Sequence, residues 1–142
     1  MPEQVDDWHS ASVNVFSMTM TAEDITDALG LAPSSTKRLG QPVSTRRPAG
    51  PTVERHRWSL HSPLGDDEPL HAHVAALLSV LAPVADRFRD LSVDCETELL
   101  VGLSARPLGR IHDFDAATVQ QIAQLGLSIR LDVYNEMEPT DQ

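Results

Sequence analysis

Apolar positions along this chain switch between a period of two and a period near 3.6, and the switches mark out its elements. Residues 12–20 (SVNVFSMTM) are rich in Val, Phe, Met and Thr and read as a first strand. Val13 and Val15 fall on one phase and Phe16, Met18 and Met20 on the other, so either a bulge reverses the faces or both faces are covered. Thr21 follows as a helix N-cap with Asp24 three residues on, and Met20 and Ile25 occupy the two positions of a hydrophobic staple. This helix is short, because Gly30 suits a left-handed C-cap and Pro33 forbids resumption. From Val53 to Ser62 the period is two again, with Trp58 and Leu60 on one face and Arg55, Arg57, Ser59 and His61 on the other.

A turn containing Pro63 and Gly65 leads to Asp66, Asp67 and Glu68, acidic residues placed at the positive end of the next helix dipole. Leu70, Val74, Leu77, Leu81, Val84, Phe88 and Leu91 then form one helical stripe. Pro83 interrupts it, lacks the N–H that would bond Ser79, and predicts a kink or a split into two pieces. Val93 to Leu103 reads as the third strand, with Val93, Cys95, Thr97, Leu99, Val101 and Leu103 inward and Asp94, Glu96 and Glu98 outward. Arg106-Pro107-Leu108-Gly109 is a turn that could let residues 110–112 add a short strand. Asp115 caps a third helix, with Phe114 and Val119 at the staple positions, Ile122 and Leu125 as its other apolar residues, and an end at Gly126. In the final strand Leu127, Ile129, Leu131 and Val133 alternate with Ser128, Arg130, Asp132 and Tyr134.

Three strands with one polar face each predict helices on one side of the sheet only. The expected fold is therefore α+β, a two-layer sandwich with a four- or five-stranded sheet and about three helices packed on one face. A single domain would span 11–135, between acidic tails at 1–10 and 136–142 that lack anchoring periodicity. Its open sheet face would carry His61, Asp94, Glu96, Glu98, Arg130 and Tyr134 beside Arg55 and Arg57.

Charge adds one feature to this picture. The 142 residues net −10, yet Lys37, Arg38, Arg46, Arg47, Arg55 and Arg57, six of the eleven basic side chains, lie between positions 37 and 57. Residues 33–52 hold four prolines and two glycines without apolar periodicity, so they read as a loop of some twenty residues, a length that is usually functional or disordered. A positive field confined to one segment of a negative surface can steer an anionic partner, and docking on an acidic protein surface and a merely solvated, mobile loop are equal readings of it. Nucleic acid is disfavoured, because the whole chain is acidic and Trp58, the one aromatic in this part of the chain, falls on the core face.

Little else carries chemistry. The lone Cys95 can form no internal disulfide, the first ten residues do not resemble a secretory signal, and no stretch approaches the roughly 20 apolar residues of a membrane span. The expected compartment is the cytoplasm, and no membrane partner is expected. His71 and His73, with His61 and Asp66, Asp67 and Glu68 near them, suggest a metal site at first sight. Residues two apart on a helix point about 200° apart, so the reading favours solvated helix-end residues, and neither a metal nor a cofactor is expected. Cys95 reads as a small core residue. Asp94, Glu96 and Glu98 could serve as acid, base or cation ligands, but cross-strand pairing with Arg55, Arg57 or Arg130 is the favoured reading. There is no Gly-rich phosphate loop, nucleophile elbow or HExxH motif.

Leu29-Gly30-Leu31-Ala32-Pro33, Lys37-Arg38-Leu39-Gly40 and Trp58-Ser59-Leu60-His61-Ser62, followed by the long amphipathic helix and Leu125-Gly126-Leu127, together resemble the bacterial domain-of-unknown-function family 4279 (DUF4279) over roughly residues 11–135. Two departures stand in the basic segment. Thr36 replaces the family's usual aromatic, and Arg38 and Leu39 interrupt its Lys-Gly pair. The resemblance implies a small bacterial protein, brings no established activity or catalytic residues with it, and is compatible with an immunity or inhibitor role. The expected function is a non-enzymatic protein-binding module using the basic loop and the open sheet face. The alternative is an enzyme or small anionic-ligand binder with a pocket formed by Arg55, Arg57 and the carboxylates of Asp94, Glu96 and Glu98. A homodimer is conceivable through an exposed sheet edge.

Overall fold

The computed structural model describes residues 9–104 and 111–134. Five strands form one mixed sheet in the order β2-β3-β1-β4-β5: β1 (His9–Ser17), β2 (Ser35–Lys37), β3 (His56–His61), β4 (Glu96–Ser104) and β5 (Ser128–Tyr134). β1 is central and antiparallel to both neighbours, β2 is antiparallel to β3, and β5 runs parallel to β4. The helices are α1 (Ala22–Leu29), α2 (Leu70–Leu81), α3 (Ala85–Asp94) and α4 (Ala116–Gln124), with a 3-10 turn at Ala82–Val84 joining α2 to α3. The expected α+β sandwich is thus present, and its long helix is divided at Pro83 as the missing N–H requires.

The core lies between the helices and one sheet face. Val13, Val15, Trp58, Leu99 and Val101 from the sheet meet Ile25, Leu29, Val74, Leu77, Leu81 and Phe88 from the helices, all essentially inaccessible to solvent. Trp58 also satisfies its indole, which donates to Thr26 Oγ1 at 3.1 Å. α1 begins with a reciprocal capping box between Thr21 and Asp24, and Gly30 closes it at φ 75°. The phase conflict in the first strand needs no bulge. β1 ends at Ser17, whose Oγ accepts from the N–H groups of Thr19 and Met20 and turns the chain toward the helix layer. Phe16 is left alone on the opposite face.

Several expectations change. The segment 33–52 is not a plain loop: Ser35–Lys37 pair with β3, and the pairing continues outward as an arm. Gly40 N–H donates to Val53 O, Val53 N–H to Gln41 O and Val43 N–H to Pro51 O, while Leu39 N–H donates to His56 Nδ1. This β2 is the fifth strand. Residues 111–112 are not in a strand, and residue 110 lies outside the described residues, as do 1–8 and 136–142 of the expected tails, whereas His9 and Ser10 already belong to β1. Asp94 and Val93 end α3 instead of starting a strand, because the stripe carried by Phe88 and Leu91 holds the helix to that point. Val119, expected at a staple, remains half exposed. Finally, Leu127 is buried but Ile129, Leu131 and Val133 are 46%, 63% and 56% exposed, so the helix layer stops short of β5.

Candidate functional site

The face of the sheet away from the helices divides into two regions. Its middle row is internally satisfied. Ser59 Oγ donates to Asn14 Oδ1 at 2.6 Å, Asn14 Nδ2 donates to Glu98 Oε2 at 2.8 Å, and Arg130 Nη1 donates to Glu98 Oε1 at 3.1 Å. Strand register places these residues side by side, since Asn14 lies opposite both Ser59 and Glu98. Glu98 is only 4% exposed, so it is a structural carboxylate linking β1, β4 and β5, not a free acid on an open surface. His61 stands in the next row, within 3.4 Å of Ser35 Oγ, and Tyr134 ends β5, its hydroxyl held protonated to higher pH by a hydrogen bond to Asp132.

At the end of β1 marked by Phe16 the surface becomes concave. The arm folds over this corner, and a groove of about 410 Å³ opens among Phe16, Lys37, Val43, Pro51, Thr52, Val53, Glu54, Arg55 and Arg57. Register again explains the convergence: Lys37 on β2, Arg57 on β3 and Phe16 on β1 are successive cross-strand partners. Arg55 lays its guanidinium over the Phe16 ring, 4.1 Å from the centroid, and bonds Glu96. Lys37 and Arg57 form no ion pair with a described residue, and Arg57 Nε is buried without a hydrogen-bond partner. Two half-buried cations with unused donors beside an apolar floor attract a carboxylate or phosphate.

The six basic residues therefore do not act as one cluster. Lys37, Arg55 and Arg57 line the groove. Arg38 turns toward Glu23, 3.5 Å away, and Arg46 and Arg47 are exposed in the turn at the arm's tip. Of the three carboxylates, Glu96 pairs with Arg55 across the intervening β1, Glu98 pairs with Arg130 on the adjacent β5, and Asp94 sits on α3. Phe16, Val43, Pro51, Thr52, Val53 and Glu54 were not among the expected site residues. The one signal for them was Phe16, whose phase disagreed with Val13 and Val15.

The histidines lie elsewhere. His73 faces inward from α2, 1% exposed, with Nδ1 2.7 Å from Ser62 Oγ, whereas His71 is exposed, so the two do not converge. Burial lowers the His73 pKa, the neighbouring His9 reinforces this, and the Gly65 carbonyl, Asp66 and Glu68 oppose it. Among the described residues no group of three or more His, Cys, Asp or Glu side chains could hold a metal ion. Burial raises the pKa of the Cys95 thiol, which contacts Met20 Sδ. No helix among the described residues is long and apolar enough to cross a membrane.

The chain is thus a one-sided α+β sandwich with a cationic groove beside the arm, and the sequence comparison gives it a family. Residues 6–136 match the model of the domain of unknown function DUF4279, and the chain belongs to that family. No curated protein and no solved structure shows significant similarity to it.

Proposed function

We propose that this protein is a non-enzymatic binding module that receives an acidic segment of a partner protein in the groove between the arm and the Phe16 corner of the sheet. The observation that carries the reading is the combination of Lys37 and Arg57, neither paired with a carboxylate among the described residues, with an apolar floor of Phe16, Val43, Pro51 and Val53. Such a surface suits a peptide with a carboxylate next to an apolar side chain: the carboxylate takes the charge-assisted bonds and the apolar group covers the floor. The lining's possible nucleophiles are Thr52 and Lys37 and its carboxylate is Glu54, and among the described residues no hydrogen bond couples either nucleophile to that base. Arg46 and Arg47 at the tip serve approach more than docking, because exposed charges chiefly raise association rates. A bacterial cytoplasmic setting and an immunity or inhibitor role suit a small module of this kind.

Fluorescence anisotropy with a panel of short acidic peptides, each carrying one apolar residue, tests the proposal. Binding should weaken with salt and vanish in the Lys37→Glu/Arg57→Glu variant. Peptide binding that is indifferent to both changes would refute it. The concavity of the groove supports a second reading, a small anionic ligand. In that case phosphates or dicarboxylates would raise the melting temperature of the intact protein while no peptide binds.

A further inference from the structure

Strand β5 is an edge with unusual properties. Its seven residues contain no proline, glycine or lysine, no described residue pairs with its outer side, and its helix-side row Ile129, Leu131 and Val133 is exposed. Natural edges are commonly blunted by shortness, charge or proline. The other edge, β2, has only three residues and carries the arm, but β5 has neither protection.

We propose that β5 pairs with β5 of a second copy of this chain, antiparallel about a two-fold axis through Leu131, to give a continuous ten-stranded sheet. The sequence of the strand is complementary to its own reverse in this register. Leu131 faces Leu131 of the other copy and Ile129 faces Val133, which closes the exposed apolar row. On the opposite sheet face Arg130 comes opposite Asp132, and symmetry makes that ion pair twice. A slip of two residues in one direction sets Arg130 against Arg130, and in the other Asp132 against Asp132. A slip of one sets apolar residues against the polar face. Charge and hydrophobic pattern thus select a single register. Arg130 can serve it without leaving Glu98, because its side chain is 66% exposed and only Nη1 is used in that bond.

Sedimentation velocity of the full chain over about two decades of concentration tests the inference. The intact protein should show a reversible monomer–dimer equilibrium. Asp132→Arg and Leu131→Lys change exposed or half-exposed positions outside the core, so both should fold, as circular dichroism can verify, and each should weaken the dimer by about tenfold or more because every altered contact occurs twice. A Leu131→Cys variant should form a disulfide between copies on mild oxidation, since directly opposed residues have Cβ atoms about 4.5–5.5 Å apart. A Ser128→Cys variant, placed opposite Tyr134, should not. A strictly monomeric intact protein would overturn the proposal. So would a dimer unaffected by either substitution, or equal cross-linking from positions 128 and 131.

Discussion

Replacing Glu98 with alanine should cost far more stability than removing its charged partner Arg130, although the two share one ion pair. Glu98 and Asn14 are 4% and 5% exposed, and the 2.8 Å bond between them is out of reach of solvent. Without the carboxylate the Asn14 amide keeps a buried donor that nothing satisfies, at about 1–3 kcal/mol. Loss of the Arg130 contact adds only about 0.5 kcal/mol, because that side chain is largely in water. Glu98→Ala should therefore destabilise by about 1.5–3.5 kcal/mol, which for a domain of this size lowers the melting temperature by roughly 5–12 °C. Arg130→Ala should cost about 0.5–1 kcal/mol, since water can take the place vacated by an exposed guanidinium. Glu98→Gln, which preserves an acceptor for Asn14, should fall between them. Urea unfolding followed by tryptophan fluorescence measures all three. If Arg130→Ala cost as much as Glu98→Ala, the Ser59–Asn14–Glu98 row would not be the part of the network that holds the sheet, and the reasoning would fail.

Two further outcomes follow from single positions. Gly126 has φ 78°, and a Cβ there would lie 2.6 Å from Ser92 Oγ, so Gly126→Ala should destabilise by about 1–3 kcal/mol; adding Ser92→Gly should recover the steric part and leave the backbone part, as denaturant titration of both variants can show. His73 has a depressed pKa in the folded state, so below about pH 6.5 the unfolded chain binds the extra proton more readily. Its contribution is fully present above that pH and is lost as pH falls toward the folded-state value. His73→Gln should flatten the slope of stability between pH 6.5 and 5, and an unchanged slope would contradict the assignment.

Elements whose two faces differ sharply were readable from the chain. Trp58 alternating with Arg57 and Ser59, the Leu70 to Leu91 stripe, and the Thr21-Asp24 cap with Gly30 behind it are local signals, each decided within a few residues. The misread parts depend on distant partners. Ser35–Lys37 is too short and too polar to declare itself a strand, and becomes one only because β3 offers its free edge. Asp94 looked like the start of an alternating run, but the helix that Phe88 and Leu91 bury continues through it. Ile129, Leu131 and Val133 have the alternation of a half-buried strand, yet nothing local could reveal that the helix layer ends before reaching them. The candidate site was legible as charge and not as shape. Six basic residues could be counted, but their division into Lys37, Arg55 and Arg57 in the groove, Arg38 beside Glu23, and Arg46 and Arg47 at the tip is set by cross-strand register.

That division gives the most direct measurement: capture from a lysate of the native cell by the intact protein, by Lys37→Glu/Arg57→Glu, and by Arg46→Glu/Arg47→Glu, with folding verified for each. The account predicts one protein held by the intact chain, lost completely with the groove variant, and still held by the tip variant with slower association. Equal capture by the intact protein and the groove variant would contradict it.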